Sequence, residues 1–360
     1  MLEHGGNLRQ AMLRYGRADW LDLSTGINPE WYPAPAIAGN AWHRLPEPDP
    51  ALVQAAQAYY GAPLMLPVAG TQAAIQALPR LRLPSRVVVA APSYAEHAHH
   101  WAQHGHKLRQ VPYDALDAAA AECDVMVVVN PNNPTGATVP REKLLDWAAQ
   151  LSARGGWLVV DEAFGDTALQ ASVAAAATSD QQAGGRPAAE RDDRSDRGGC
   201  ARSALAANGM PDGLIVLRSV GKFFGLAGLR LGFVAAQPVL LDALADLLGP
   251  WAVSGPAQQV ALAALRDTAW QERMRTQLRA SGQRLQSLLA AHGIHSSGSA
   301  LFQWWPEARA EAFHEHMARQ GIWVRLFTNA ARGIRLGLPP DEAGWQRLEH
   351  ALTLWTKDKQ

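Results

Sequence analysis

Cysteine is almost missing from this chain. Cys123 and Cys200 are the two among 360 residues, too few and too far apart for a disulfide framework or a cysteine-based zinc site, and the usage fits a reducing cytoplasm. Net charge is missing as well, with Lys plus Arg and Asp plus Glu at 33 each. No overall field therefore draws the chain to nucleic acid or to an anionic membrane, and anionic ligands have to be caught locally. No apolar run approaches the ~20 residues of a membrane span. The opening Met1-Leu-Glu-His-Gly-Gly-Asn7 lacks the basic start and apolar core of a secretory signal. A soluble, cytoplasmic protein is expected. No internal repeat is apparent.

What the chain does have is apolar bulk, 48% of its residues, enough for one large core and a smaller second one. Short β-branched runs recur at Val87–Ala90, Val125–Val129, Trp157–Val160, Leu214–Leu217 and Gly232–Ala235. They show no polar alternation, as expected of strands covered on both faces in a mainly parallel sheet, and stretches such as Arg141 to Arg154 are long enough to be helical crossovers. The fold class read from this is α/β: a three-layer large domain over residues 51–250 and a smaller α+β domain over 251–360. The Gly- and Pro-rich segment 1–50 is expected to pack with the small domain. From Thr178 to Pro211 (178–211) bulky apolar residues are nearly absent and charges alternate in sign, which predicts a solvated, disordered loop without chemistry.

The run from Ser219 to Arg230 places Lys222 three residues after a hydroxyl and eight before a guanidinium. A lysine amine condenses with an aldehyde to a Schiff base, while a neighbouring hydroxyl and guanidinium hold a phosphate. Pyridoxal phosphate carries both groups. Three other segments match it. Asp161 ends a buried run and can face a pyridine nitrogen, although an aspartate at a strand end is also a common cap. Asn133 lies in Asn130-Pro-Asn-Asn-Pro-Thr-Gly136, which reads either as an ordinary loop or as a rigid turn presenting an amide to the ring oxygen. Gly70, Thr71 and Gln72 open an apolar helix whose first amides can bind a phosphate. Tyr94, following another buried run, can stack on the ring or simply fill core.

Glu96, His97, His99, His100, His104 and His106 form a histidine-rich stretch in which Glu96, His100 and His104 share helical spacing. We read it, with His314 and His316, as solvated helix face; no metal is expected, because nothing specifies a locked ligand shell.

Taken in order, the Gly70-Thr71 turn, Tyr94, Asn133-Pro-Thr-Gly136, Asp161, Ser219-x-x-Lys222, Arg230 and Arg335 resemble the fold-type-I pyridoxal phosphate enzymes of the class I/II aminotransferase superfamily. The resemblance spans nearly the whole chain. It implies Lys222 as the Schiff-base anchor, Asp161 at the pyridine nitrogen, Asn133 at the ring oxygen and Arg335 on the substrate carboxylate, with the site at a homodimer interface. Within that group, His4-Gly-Gly-Asn7, Asp22-Leu-Ser-Thr-Gly-Ile-Asn-Pro29 and Pro250-Trp-Ala-Val-Ser-Gly-Pro-Ala-Gln258 look like the threonine-phosphate decarboxylases of cobalamin biosynthesis. That implies decarboxylation of L-threonine O-3-phosphate, a small phosphorylated amino-acid substrate whose two anionic groups are shared among His4, Gly5, Arg325 and Arg335. Histidinol-phosphate aminotransferase is the alternative, and a non-catalytic relative is a third reading. Three positions depart from the pattern: Phe164, where many relatives have tyrosine; Leu45, where some have tyrosine; and Gly26, where decarboxylases can carry asparagine.

Overall fold

The computed structural model describes residues 4–167, 172–175, 210–329 and 331–357. Residues 178–209 of the expected loop, and Cys200 with them, lie outside the described residues. Twelve strands are formed among the described residues: β1 (Leu21–Leu23), β2 (Leu66–Val68), β3 (Arg86–Ala90), β4 (Lys107–Val111), β5 (Val125–Val129), β6 (Trp157–Asp161), β7 (Leu214–Ser219), β8 (Gly232–Ala235), β9 (Ser297–Ser299), β10 (Phe302–Pro306), β11 (Ile322–Phe327) and β12 (Gly333–Gly337).

The five runs without polar alternation are β3, β5, β6, β7 and β8, and they lie in one seven-stranded sheet of order β2-β8-β7-β6-β5-β3-β4. The β4-β3-β5-β6-β7 part is parallel throughout, whereas β8 and β2 run antiparallel at one edge. Every residue of β5 is buried, and full burial of each such aliphatic side chain is worth roughly 1.5–3 kcal/mol. Helices cover both faces and supply the crossovers, including Arg141–Ser152 between β5 and β6. The polar edge strand β4 escaped the sequence reading because only Val111 in it is buried.

The second sheet has five strands in the order β1-β11-β12-β10-β9. β1, from the N-terminal segment, pairs in parallel with β11, while the other pairings are antiparallel. The helical stretch before this sheet is two helices, Gly255–Arg266 and Thr268–Ala291, because Asp267 caps the second through a bond from Trp270 N. One continuous apolar cluster joins the two sheets.

Candidate active site

Parallel strands of matched length end together. Val129 is opposite Asp161 and Asp161 opposite Leu217, so Asn130, Asp161 and Ser219 emerge at the same carboxyl-terminal edge, where open α/β sheets bind ligands. There a cavity of about 140 Å³ is lined by Gly70, Thr71, Gln72, Tyr94, Asn133, Asp161, Ser219, Lys222 and Arg230, with Phe164 and Ala163 completing one wall. All nine residues expected from the sequence at the cofactor meet in this space. A larger cavity, about 510 Å³, lies behind Glu162 and Arg218 against helix Thr268–Ala291. Serine and threonine hydroxyls line it, but no lysine does; the Schiff-base lysine expected from the sequence lines the smaller one.

Lys222, the lysine expected to be reactive, is buried in this cavity. Burial, then the neighbouring Arg335 and Arg230 guanidiniums, lower its pKa from the ordinary 10.5 to about 8, with Asp161 opposing. Its Nζ stands 5.5 Å from the centre of the Phe164 ring. Asp161 is fixed from two sides: Oδ1 accepts from Ala163 N at 3.0 Å, and Oδ2 lies 2.9 Å from His97 Nε2. Both partners of that second contact are buried. Tyr94 donates its hydroxyl to Gln72 Oε1 at 3.2 Å, and burial with nearby Glu96 and Asp161 pushes its phenol up to about 12.

The three asparagines of the turn after β5 divide the work. Asn130 Oδ1 accepts from Val139 N, and Asn132 donates to Pro92 O and to Thr135, so these two build the turn. Asn133 alone lines the cavity. Its Oδ1 accepts from Arg335 Nη1, which leaves the NH₂ group to donate to a ligand oxygen.

Gly70, at φ +74°, precedes the helix Thr71–Ala77, and an added Cβ there would come within 2.7 Å of Arg230 Nη2. Arg230 itself adopts φ +54° and folds back to donate to Ala227 O. Glycine thus lets the guanidinium close on the helix start beside Ser219, whose Oγ accepts from Gly221 N at 3.1 Å. Hydroxyl, guanidinium and helix-start amides converge there on one concave spot, a donor set suited to a phosphate. Together with a lysine, a carboxylate and an amide donor, the residues present fit pyridoxal phosphate.

Of the expected substrate residues, Asn133 lines the cavity and Arg335 touches it, while Arg325, His4 and Gly5 lie further out. Arg335 touches Asn133, donates through Nη2 to Ser24 O at 2.7 Å, and has no partner for Nε among the described residues. Burial, then Arg325, lower its affinity for a proton, with Asp22 and Tyr94 opposing; an incoming carboxylate would relieve that strain. Arg325 stands opposite Arg335 in the β11–β12 register. His4 pairs with Glu96 at 2.7 Å and its ring lies 6.2 Å from that of Tyr94. Gly5 passes so close to Ser24 O that any Cβ would collide with it.

The histidine-rich stretch needs correction. His99 and His104 are exposed, but Glu96, His97 and His106 are buried and His100 is half-buried. His314 and His316 are half-buried, against Trp323 and Ala351 O. Helix Ala95–Gln103 turns His97 inward with Ala98 and Trp101; the i, i+4 relation of His97 to buried Trp101 was the signal available in the sequence. His97, Glu96 and Ser24 are the site residues that sequence reading missed. Among the described residues, no group of three or more His, Cys, Asp or Glu side chains is arranged to hold a metal ion.

The departures also have a structural reading. Phe164 packs edge-on against Phe302, ring centres 5.0 Å apart, and a Cβ on Gly26 would stand 3.0 Å from both rings. An asparagine at position 26 has no room while that aromatic pair is in place.

Comparison with known proteins agrees with this geometry. Residues 19–343 match the model of the family described as aminotransferase class I and II. The chain is 50% identical over 355 residues to a threonine-phosphate decarboxylase of Pseudomonas aeruginosa, covering 98% of this chain and 97% of that one. It is 41% identical over 357 residues to a threonine-phosphate decarboxylase of a Sinorhizobium species, covering 97% of each. Among solved structures, histidinol-phosphate aminotransferase from Sinorhizobium meliloti in complex with pyridoxal-5'-phosphate superposes with a TM-score of 0.75 at 20% identity, over 100% of this chain and 96% of that one. At that identity the likeness speaks for the fold, aminotransferase fold type I. The chain belongs to the aminotransferase class I and II family.

Proposed function

We propose that this chain is a pyridoxal-phosphate-dependent lyase that converts L-threonine O-3-phosphate to (R)-1-amino-2-propanol O-2-phosphate and carbon dioxide, in the cytoplasm and in cobalamin biosynthesis. The full-length similarity to the Pseudomonas aeruginosa decarboxylase supports the substrate and the reaction. The observation that carries the reading is the placement of Arg335 and Arg325 as neighbouring cations, with Arg335 close enough to Lys222 to lower its pKa and bonded to Asn133. Two cations suit a substrate with two anionic groups.

When bound, pyridoxal phosphate supplies an aldehyde for the amine and a protonated ring that accepts an electron pair. Everything else is supplied by the chain. Ser219, Arg230 and the Gly70–Gln72 turn hold the phosphate end. Asp161, oriented by His97 and Ala163 N, would hold the ring nitrogen, and Asn133 would hold the ring oxygen. Arg335 would take the substrate carboxylate and so orient the bonds at Cα. The His4–Gly5 turn and Arg325 take the remaining phosphate. Loss of carbon dioxide leaves Cα one proton short, and Lys222, whose amine exchanges a proton near pH 8, is the group placed to return it.

A homodimer is part of the proposal. Trp31, Trp42, Leu45 and Trp251 are large apolar side chains left exposed, and helix Gly255–Arg266 packs Gly255 against Ala41, which brings the Trp42 and Trp251 turns together. An exposed apolar face of this kind favours association; size measurement by light scattering tests it. None of the helices among the described residues is long and apolar enough to cross a membrane.

The deciding assay mixes protein, cofactor and threonine phosphate and measures carbon dioxide, then repeats with histidinol phosphate and 2-oxoglutarate. Glutamate without carbon dioxide would overturn the decarboxylase reading in favour of an aminotransferase. An absorbance band from bound cofactor that disappears in Lys222→Ala excludes a non-catalytic relative.

A further inference from the structure

The N-terminal turn is tied to the cavity by a chain of side chains whose centre is Glu96. Glu96 Oε1 lies 2.7 Å from His4 Nε2, while Oε2 accepts from Gln72 Nε2 at 2.7 Å and lies 3.0 Å from His100 Nε2. Gln72 Oε1 then accepts from the Tyr94 hydroxyl. Glu96 is buried, where a carboxylate is tolerated only with its oxygens satisfied; the hydrogen bonds from Gln72, His4 and His100 outweigh burial and hold its carboxyl below the usual range. A second tie runs in parallel. Gly6 N donates to Ser24 Oγ at 2.7 Å, and Ser24 O accepts from Arg335.

These contacts give Glu96 two separate clients. One oxygen seats the His4–Gly5–Gly6 turn, and the other orients Gln72, which in turn fixes Tyr94 at the cavity wall. A glutamine in its place keeps the volume but has one acceptor oxygen instead of two, so it can accept from Gln72 or from His4 but not from both.

We propose that Glu96 is a positioning residue that seats the N-terminal turn and Tyr94 together, so that the grip on the substrate's phosphate depends on this carboxylate. The inference rests on the reading above that the substrate carries a phosphate near His4.

In the holoenzyme, Glu96→Gln is expected to raise the KM for threonine phosphate roughly tenfold or more while kcat changes by less than about threefold. His4→Ala should also raise KM, and the double variant should be little worse than Glu96→Gln, because the connection lost with His4 is one of the two that Glu96 holds. Hydrogen exchange at the Gly6 to Leu8 amides should speed up in either variant. Additive effects in the double variant, a fall in kcat at constant KM, or unchanged exchange would each overturn the proposal. If Glu96→Gln does not fold, His4→Ala decides by itself, since its ring is partly exposed: unchanged KM and exchange would dispose of the idea. If the wild type releases no carbon dioxide from threonine phosphate, the reaction assignment fails, and the exchange measurement still reads the seating of the turn.

Discussion

The wall that carries Lys222 and the wall that carries Arg335 are built on different sheets. Asp161 and Ser219 end neighbouring parallel strands, and Asn133 and Lys222 sit in the turns that follow, so register and short turns set their relative positions. Arg325 and Arg335 come from the antiparallel β11–β12 pair and reach the same space across a seam with Ser24 and the N-terminal turn. On the proposed reading the first wall is the cofactor socket. The second is an assembly of three separate chain segments, and choice of substrate can change there without disturbing the socket.

The largest effect expected from that division is at the socket's nucleophile. Lys222→Ala should lower turnover by at least ~10³-fold and abolish the cofactor absorbance band, while leaving the fold intact. Residual turnover near the wild-type rate would mean that the first wall is not where the chemistry occurs.

Beneath the socket, Arg218 pairs with Glu162 at 2.7 Å and with Asp166 at 2.9 Å, all three buried. Burial alone would disfavour the charged guanidinium, but Asp166 and Glu162 more than compensate and raise its proton affinity. Glu162 and Arg218 are the sequence neighbours of Asp161 and Ser219. Arg218→Met leaves two buried carboxylates uncompensated and should cost roughly 3–5 kcal/mol in denaturant unfolding. A loss under 1 kcal/mol would show that the socket's rigidity does not rest on this triad.

Legibility in the sequence follows the same division. Much of the socket was readable because Asp161 and Ser219 end buried strands, Asn133 follows one closely, Lys222 and Arg230 are spaced from Ser219, Gly70 to Gln72 open an apolar helix, and strand ends on one edge of a parallel sheet are neighbours by topology. His97, Glu96 and Ser24 were not readable in that way. Their partners are 64, 92 and 311 residues distant in sequence, counting His97 to Asp161, Glu96 to His4 and Ser24 to Arg335, and no local spacing encodes such contacts. The histidine-rich stretch misled for a related reason: two faces of one helix, one solvated and one buried, share a single composition.

The third test probes communication between the walls. Arg335 is the second cause, after burial, of the low Lys222 pKa. In the apoprotein, trapping of an aldehyde on Lys222 by borohydride should rise with a midpoint near pH 8, and Arg335→Met should move that midpoint upward, since a cation has been removed. The same variant should raise the KM for threonine phosphate about 10- to 100-fold through loss of a charge-assisted pair. Stability linkage has a definite sign. Between pH 8 and pH 10.5 the unfolded chain holds the Lys222 proton and the folded apoprotein does not, so this group makes stability rise with pH across that window. Lys222→Met removes that slope.

The smallest effect is expected where the walls touch. Phe164 belongs to the socket side and Phe302 to β10, and their edge-on contact with Gly26 beneath fills the seam. The para edge of Phe164 faces Gly26, since its Cζ is 3.3 Å from where a Cβ on that glycine would stand. A hydroxyl added there has to be accommodated beside Gly26 and the Phe302 ring. Phe164→Tyr should therefore cost about 1–3 kcal/mol of stability by overpacking and change kcat by less than about threefold. A tenfold rise in kcat would instead mean that the phenol reaches the ring oxygen beside Asn133, that the aromatic seam yields readily, and that the two walls are less independent than their separate sheets imply.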